Sequence, residues 1–577
     1  MIGDGNLFKF DYNKYKNIYN FCQRKINILS IFRILVFLAF IICFCVGGIF
    51  NFIGFIFVFC FIFLIIIHDK YYKKFSYYEN CLDIFEEYKS RTNSKWKEIK
   101  NNGEKYNNEL FNDLNVVGKS SLFQYLNFCR TIGGEEKLIQ QLSNKKKDFD
   151  KLKKYQSVIK ELNDKPYFCV DFLESLLCFK DKNINLENNF DLLNNNLKIN
   201  LLFVSICFIN NLITLIFLIL ALANVVPFTL FFCFVMINFF INFMYSFVES
   251  TNFNIIDKIS GDYAKLFKTF KIVGNGEFNS DILKKYSSNI SECNKEMKKL
   301  VFISELNNLK NNILSNFLFN GLFSLNVIVM ILYNSFVKNK YNNLKDGIVS
   351  VEYLEAFVSL ASIGLVRDDI CFPKINKNIK LSFVNIKHPL LDENKSVSNS
   401  LDTLCGVNII TGSNMGGKTT FIRTIGINIL LMNAGTYVCA DEFNSCFFKV
   451  FTSISVSDNI DKGISTFMGE LLRIKKAIDY NKENKLVLVD EIFKGTNYSD
   501  RIYGANEVIK KLDNDKTILF VTTHDFELCE CKVSNLNNYH FKEYYDDNGI
   551  CFDYKIRNGK CSSTNAKYLM KKLNIID

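Results

Sequence analysis

A short stretch in the C-terminal third has the residue types and the spacing needed to hold a phosphate group. In TGSNMGGKTT, residues 411–420, Gly412 is followed after four residues by Gly417, Lys418 and Thr419. Glycines let consecutive backbone N–H groups point at one anion, and a helix that begins at the lysine adds the positive end of its dipole. The lysine would reach terminal phosphates, and the threonine hydroxyl would coordinate Mg²⁺. An apolar strand pattern precedes the loop and a helical pattern follows it, which favours a nucleotide-binding loop over a glycine-rich turn without a ligand.

Two acids and a histidine follow apolar runs further along the chain. Asp490 and Glu491 end the run KLVLVDE, which is typical of a buried parallel strand, and His524 lies at the end of KTILFVTTHD. The first acid can hold the Mg²⁺ shell, and the second can polarise a water for attack on a γ-phosphate. The imidazole could contact the same phosphate or water. The order of these strand ends predicts an ATP-hydrolysing site in an α/β domain.

The interval between the loop and the acids, residues 457–479, has a polar start and then an amphipathic helical pattern. An ABC transporter ATPase would carry a glycine-rich signature loop there. The sequence has no such loop, and the tetrad Ser465-Thr466-Phe467-Met468 occupies its place.

Four motifs resemble, in order and spacing, the ATPase domain of the MutS mismatch-repair family: TGSNMGGKTTFIRTIG, DKGISTFMGEL, LVDEIFKGTN and TTHDFEL. KHPLL, residues 387–391, resembles that family's lead-in to the nucleotide loop. The resemblance implies a P-loop domain of the ABC type. It also implies a dimer in which each subunit completes the nucleotide site of the other.

The same resemblance assigns roles to individual residues. Asn414 and Lys418 would contact phosphates, Glu491 would be the general base, and His524 would sense the γ-phosphate. The full set of implied ATP contacts is the loop itself: Gly412, Ser413, Asn414, Met415, Gly416, Gly417, Lys418, Thr419 and Thr420. The implied Mg²⁺ ligands are Thr419 and Asp490. The residues implied to act on the partner's nucleotide are Ser465 and Thr466.

Two features depart from the mismatch sensor. Phe493 and Lys494 stand where that protein usually has glycine and arginine, and the tail at residues 538–566 also differs. Both features resemble a shorter, MutS-related branch of bacterial proteins.

The composition points to a membrane. The 577 residues have room for three or four domains, 49% of them are hydrophobic, and there are 58 phenylalanines. The net charge of +11 is open to two readings, nucleic-acid binding or positive-inside membrane flanks, and the second is favoured. The 19 cysteines are interpreted as reduced and mostly buried, because Cys529 and Cys531 lack the further ligands of a zinc site.

Three long apolar runs determine the expected organisation. The runs 34–67 and 199–248 carry no charge and contain turn residues, which predicts two transmembrane hairpins. Arg33 and the lysines after residue 69 place both ends of the first hairpin in the cytosol. The run 311–337 is interrupted by polar residues, and spanning would put the ATP site on the wrong side, so it is expected to be a buried helix of a cytosolic domain.

The residues between the hairpins resemble the start of the MutS helical core, in which a Leu-rich helix precedes a Thr-x-x-Gly turn, and Thr131, Gly133 and Gly134 stand at that turn. The resemblance is weak over 109–170 and strong over 385–566. The expected domains are a cytosolic lead at 1–33, hairpin 1 at 34–67, a cytosolic helical segment at 68–198, hairpin 2 at 199–248, a helical core and lever at 249–384, and the ATPase domain at 385–577.

Mismatch sensors carry a wedge, Phe-x-Glu, in an N-terminal mixed domain. The expected hairpin takes that place here. Phe85-Glu86-Glu87 matches the Phe-x-Glu pattern, but a three-residue match is expected by chance in a chain of this length. No mismatch-reading domain is therefore expected.

Together these expectations describe a multi-pass membrane protein of a bacterial plasma membrane, with a helical core and an α/β P-loop ATPase domain of the MutS-like, ABC type facing the cytosol. It would use ATP and Mg²⁺, and its partners would be a second copy and the lipid bilayer. Two functions stay open: DNA processing of the mismatch-repair kind, and a membrane-mechanical or transport-like role without DNA. The physiological substrate is not readable from the sequence.

Overall fold

Helices make up the described chain before residue 370, and strands appear only after it. The computed structural model describes residues 11–48, 50–143, 149–180, 201–413, 415–455, 466–546 and 549–561. These residues divide into two compact units. Unit 1 contains residues 1–127, 138–166 and 357–577, and unit 2 contains residues 128–137 and 167–356.

The α-helices of the described residues are numbered α1 to α18. They are α1 Tyr12–Val46, α2 Phe50–Thr92, α3 Glu109–Asp113, α4 Leu122–Leu126, α5 Ile132–Leu142, α6 Phe149–Asp164, α7 Pro166–Ser175, α8 Leu201–Leu222, α9 Phe228–Val248, α10 Ser250–Gly274, α11 Asp281–Glu292, α12 Asn294–Asn308, α13 Ile313–Phe323, α14 Leu325–Ala361, α15 Ile363–Val366, α16 Lys418–Ala434, α17 Thr466–Asp479 and α18 Tyr498–Leu512.

In unit 1, α1 and α2 pack against each other. They are 35 and 43 residues long, and Gly47 and Gly48, both with positive φ, lie at the break between them. Each helix is therefore over 50 Å long, at about 1.5 Å per residue, and continues well beyond the charge-free run. The polar lead expected at 1–33 is helical from Tyr12 onwards.

Among the described residues, five helices are long and apolar enough to cross a membrane. They are Tyr12–Val46, Phe52–Thr92, Leu201–Leu222, Phe228–Val248 and Asn343–Val366, and the last is largely buried within the protein.

The run 311–337 differs from the expected single buried helix, and that expectation is wrong. It forms two helices, α13 and the start of α14, which are bent by 78° at Ser324. Ser324 has a left-handed backbone (φ 52°), which interrupts the helical hydrogen-bond ladder. The first helix exposes apolar side chains, since Ile313 is 87% and Leu314 74% exposed.

The strands of unit 1 form two sheets. The larger has the order β10-β9-β4-β8-β7-β6, in which every neighbouring pair is parallel except β9 with β10. Its strands are β4 Gly406–Thr411, β6 Lys449–Ser453, β7 Lys485–Asp490, β8 Thr517–Thr522, β9 Leu536–Asp546 and β10 Gly549–Asn558. The smaller sheet has the order β1-β5-β2-β3, from β1 Lys374–Ile375, β2 Lys380–Ile386, β3 Asn399–Leu404 and β5 Glu442–Ser445.

The central strands are buried along their whole length, as their continuous Val, Leu and Ile runs require. Their side chains pack with α17 and α18 in one apolar cluster that includes Val487, Val489, Ile474 and Ile509. Because β4, β7 and β8 are parallel neighbours, their carboxyl ends meet at one edge of the sheet, which is where ligands bind in such folds.

Candidate functional site

The loop between β4 and α16 has the backbone that its glycines predict. Gly412 (φ 139°) and Gly417 (φ 100°) both lie in the region that favours glycine. A Cβ at Gly412 would stand 2.7 Å from the Phe541 carbonyl oxygen, so no larger residue fits there without displacing backbone. The loop residue Met415 also has positive φ, and its side chain is exposed.

Lys418, the first residue of α16, turns its buried amine back into the loop. The Nζ atom donates to the carbonyl oxygens of Gly412 (2.7 Å) and Ser413 (3.0 Å). It also lies 3.3 Å from Nε2 of His524, which follows β8. Burial lowers the pKa of Lys418, although the carboxylates of Asp490 and Glu491 oppose that shift.

Asp490 joins three elements at the predicted magnesium position. Its Oδ2 accepts from the Thr419 hydroxyl of α16 at 2.7 Å, and its Oδ1 accepts from the Thr522 hydroxyl of β8. The two side chains predicted to hold Mg²⁺ therefore touch. Among the described residues no group of three or more His, Cys, Asp or Glu could hold a metal, so Mg²⁺ here would need water and phosphate oxygens, as it commonly does.

Glu491 lies beside Asp490 in a strained turn. It has a left-handed backbone (φ 50°), and its N–H donates to both the carbonyl (3.0 Å) and the hydroxyl (3.1 Å) of Thr522. Its Oε1 is 3.3 Å from His524 Nε2, and its Oε2 is 2.5 Å from Lys494 Nζ. The predicted general base and γ-phosphate sensor are thus in direct contact.

The charges around Glu491 keep it ionised. Burial opposes ionisation, but the ammonium of Lys494 together with His524 and Lys418 holds the pKa of the carboxyl below its usual value. Burial and the nearby Lys418 lower the pKa of His524, so its imidazole is neutral at pH 7. A neutral imidazole can donate from one nitrogen and accept at the other.

Phe493 and Glu470 support this turn. Phe493 also has a left-handed backbone (φ 58°), and its N–H donates to Oε1 of the buried Glu470 at 2.8 Å. The Phe493 ring is buried and packs edge-on against Phe467 of α17 (5.7 Å between ring centroids). The position that usually holds glycine in mismatch sensors is therefore occupied here by a core phenylalanine in the backbone conformation that glycine prefers.

A cleft of about 320 Å³ opens from the loop. It is lined by loop and helix residues, including Ser413, Gly417, Thr419 and Thr420, by His388 of the KHPLL motif, and by Phe541 and Tyr554, which the sequence analysis did not select as site residues. The Tyr554 ring lies against the loop, 3.2 Å from where a Cβ of Gly417 would be. These flat side chains suit a planar base. No spacing signal in the sequence marked Phe541 or Tyr554.

The cleft wall that His388 forms is uncharged at neutral pH. Burial, with Arg423 and Arg367 nearby, lowers the pKa of His388 to about 4, so its imidazole is neutral at pH 7. A second cleft of about 330 Å³ lies on the other side of the acids and is lined by residues that include Ser453, Glu470, Asp490 and Glu491.

Most of the predicted site is brought together, and some of it cannot be placed. Asn414 and Ser465 lie outside the described residues. Thr466 is the first residue of α17, but its side chain is also outside the described part. Gly416 lies in the loop, where its N–H donates to the Ser413 carbonyl.

Comparison with known proteins gives a family match at the same place. Residues 408–572 match the family described as MutS domain V. This range contains the loop, both acids and His524.

Individual relatives align over a similar part of the chain. A DNA mismatch repair protein MutS of Clostridium perfringens is 30% identical over 256 residues, which is 42% of this chain and 28% of that protein. An endonuclease MutS2 of Clostridium novyi is 32% identical over 211 residues, 36% of this chain and 27% of that protein. A DNA mismatch repair protein MutS of Clostridioides difficile is 32% identical over 218 residues, 36% of this chain and 23% of that protein. The aligned region thus spans less than a third of each of these relatives.

Proposed function

We propose that this chain, whose residues 408–572 match the MutS family, is a membrane-anchored ATPase that binds and hydrolyses ATP at composite dimer sites. The observation that carries the proposal is the meeting of Lys418, His524, Glu491 and Asp490 at the carboxyl ends of three neighbouring parallel strands. That edge combines a cation for phosphate, a carboxylate for water and a carboxylate for a metal.

The loop would bind the phosphates of ATP. The Ser413 hydroxyl is buried, and no partner for it is found among the described residues. Among the described residues, the Lys418 ammonium donates to loop carbonyls and lies beside His524, so it is placed to exchange these contacts for phosphate oxygens. The adenine would lie in the neighbouring cleft, between Tyr554 and Phe541 and away from bulk water.

Thr419 and Asp490 fit Mg²⁺, because both present oxygen atoms and already contact each other at 2.7 Å. When bound there, the metal would neutralise charge on the phosphates.

Glu491 would accept the proton of the attacking water. The carboxylate is ionised, and burial leaves it partly shielded from solvent. Before it can do so, its Oε2 must be released from Lys494, which is 75% exposed on its side chain and free to turn towards solvent. His524 would orient the water or the γ-phosphate through the nitrogen that does not face Glu491.

Dimerisation would complete each site with Ser465 and Thr466 of the other subunit. ATP binding would close the ATPase domains of the two subunits against each other, and hydrolysis would reopen them. The 37-residue helix α14 would act as the lever that transmits this change, since a single uninterrupted helix is stiff over its length.

The relatives' names point to DNA mismatch repair, and DNA processing is the proposed use of this cycle. The alternative is mechanical or transport-like work on a membrane without DNA. It is supported by four long helices, α1, α2, α8 and α9, each of which contains an apolar run long enough to cross a membrane and exposes apolar side chains within that run.

The ATPase proposal is tested with the full chain in lipid nanodiscs. Glu491→Gln should bind ATP and Mg²⁺ normally but release phosphate about 100-fold more slowly or worse, because an amide cannot accept the proton of water. Lys418→Ala should lose nucleotide binding instead. Glu507→Gln, on the exposed face of α18, is the matched control and should hydrolyse ATP at the wild-type rate. Wild-type turnover by Glu491→Gln would reject the assignment of the base.

A further inference from the structure

The apolar run 313–337 forms two helices that meet at a bend of 78° at Ser324. We propose that it is a re-entrant membrane segment: it enters the bilayer as α13, turns at Ser324 and leaves on the same side as the start of α14, with its outer face against lipid hydrocarbon. The inference rests on the proposed membrane placement of α8 and α9.

The lengths of the two arms fit this arrangement. With 11 residues, α13 is about 16 Å long, and the 13 residues from Leu325 to Val337 make about 20 Å. Each arm is too short to cross a hydrocarbon core of about 30 Å, and because the two arms meet at a bend of 78°, they do not continue as one straight span. Residues 311–337 contain no charged side chain, and Lys310 and Lys338 flank them.

A break in a helix at membrane depth needs protein partners for its free backbone groups, because lipid offers none. The carbonyl oxygens of Asn320 and Gly321, at the end of α13, accept from side chains of α9. Asn242 Nδ2 donates to the first at 3.3 Å, and Asn238 Nδ2 donates to the second at 3.1 Å. Both asparagines are fully buried.

The same network closes around Ser324 and the start of α14. Asn242 Nδ2 donates to the Ser324 hydroxyl (2.9 Å), which in turn donates to Oδ1 of Asn211 in α8 (3.1 Å). The N–H of Asn326, near the start of α14, donates to Oδ1 of Asn320 (2.9 Å). The polar groups of the break thus face α8 and α9, not the surroundings.

The network also indicates how deep the break lies. Asn238 is midway along α9, and Asn211 is midway along α8. If these helices span, Ser324 is near the centre of the bilayer.

Both arms lead to the charged helices that follow α9 in the chain. The chain reaches α13 beside the start of α10, where Lys310 pairs with Asp257 (3.0 Å) and Asn307 bonds to the same carboxylate. The other arm leads to residues that pack on helices outside the apolar region, since Asn343 O accepts from Cys293 Sγ (2.9 Å) and Ser350 meets Asn289 (3.2 Å). Helix α10 directly follows α9 and carries regularly spaced charges, so this end lies in water.

Exposing the outward face of α13 to water would cost free energy, because that face is apolar. Ile313, Leu314, Leu318 and Phe323 are all exposed, and the exposed apolar side chains of α8 and α9 continue this surface. A continuous charge-free apolar surface with its polar groups turned inward fits lipid chains.

The test places single nitroxide labels on the full chain, with native cysteines replaced, in reconstituted bilayers. Relaxation by oxygen, which concentrates in lipid, is compared with relaxation by a water-soluble nickel chelate. Labels at Leu318 and Phe323 should be relaxed more by oxygen than by the chelate. The ratio of the two relaxation effects should match that of a label at Phe240, an exposed residue of α9. A label at Lys284, exposed on the charged helix α11, should favour the chelate.

The controls separate two failures. A water-like result at Phe323 with a lipid-like result at Phe240 overturns the re-entrant segment and leaves the membrane helices intact. A water-like result at Phe240 as well overturns the proposed membrane placement itself. Low accessibility of Phe323 to both agents means a protein-covered face and also overturns the proposal.

Sidedness is tested with single cysteines at Asn311 and Asp346 in sealed, oriented vesicles. Both should react with a charged maleimide from the same side. Reaction from opposite sides would identify a broken span and reject the re-entrant path.

Discussion

At the residue scale, the most informative contact is the ion pair between Glu491 and Lys494. Its 2.5 Å separation occupies one oxygen of the carboxylate that would activate water, while His524 lies 3.3 Å from the other. Because Lys494 is largely exposed, the pair is weak and the lysine can leave at little cost. Lys494 is thus placed to tune the site electrostatically without forming a rigid part of it.

Replacing Lys494 by methionine should move the acid limb of the kcat–pH profile to higher pH. The ammonium lowers the pKa of both Glu491 and His524, so its loss raises both values. Their protonated, inactive forms then persist to higher pH. Phosphate release measured across the acid range of the full chain checks this. Lys510→Met, which removes an exposed lysine paired with Glu507 on α18, is the control and should leave the limb in place. An unmoved or lowered limb in Lys494→Met would contradict the role.

At the element scale, the buried carboxylate of Asp113 links the five-residue helix α3 to the nucleotide-binding domain through hydrogen bonds and an ion pair. Asp113 accepts from the N–H groups of Ile454 (3.2 Å) and Ser455 (3.1 Å), just after β6, and from Arg473 of α17 (2.9 Å). The backbone carbonyl of Asp113 also accepts from Arg423 of α16. Residues 340 positions apart in sequence thereby hold together the elements that flank the acids.

Asp113→Ala should destabilise unit 1 by about 3 kcal/mol or more, because it leaves the Arg473 charge and two partly buried N–H groups without their carboxylate. Glu109→Ala is the matched control on the same helix. It removes an exposed pair with Lys476, also of α17, and should cost under about 1 kcal/mol. The single tryptophan, Trp96, is buried in unit 1, so its fluorescence during urea denaturation reports the midpoint of each variant. Equal midpoints for the two variants would refute the linking role.

At the scale of the whole molecule, the proposed ATPase must work as a dimer tied to a bilayer. A composite site makes activity depend on residues from two chains, and membrane anchoring restricts how those chains and any DNA can approach each other. Both consequences can be measured on the intact protein.

Mixing two inactive variants should restore activity if the sites are composite. A Ser465→Ala/Thr466→Ala double variant and a Lys418→Ala variant would form a hybrid with one intact site. Random mixing makes half of the dimers hybrids, each with one of two sites working, so about a quarter of the wild-type rate is expected. Hybrids proven by differential tags but without phosphate release would count against composite sites.

The full chain should not distinguish a G·T mismatch from homoduplex DNA. Mismatch reading requires a wedge into a destabilised base step and a clamp on the bent duplex, and the net charge of +11 is partly placed at the flanks of apolar helices. The dissociation constants for the mismatched duplex and the homoduplex should agree within about threefold, a difference under ~1 kcal/mol, and binding to both should weaken steeply with salt. A tenfold or greater preference for the mismatch at physiological salt, measured by fluorescence anisotropy, would restore a sensor role.

The sequence by itself determined the features that depend on neighbours along the chain. The glycine spacing of residues 412–417, the apolar strands that end at Asp490 and before His524, and the apolar runs all follow from local periodicity and motif chemistry. Only the tertiary structure decided which distant groups meet. Tyr554 and Phe541 line the cleft from strands far along the chain, and Asp113 reaches α17 across 360 residues. The break at Ser324 depends on Asn238 and Asn242, some 80 residues away, which satisfy the carbonyls that the break exposes. No local pattern encodes such partners, because the free energy of a helix break is set by the groups that fold against it.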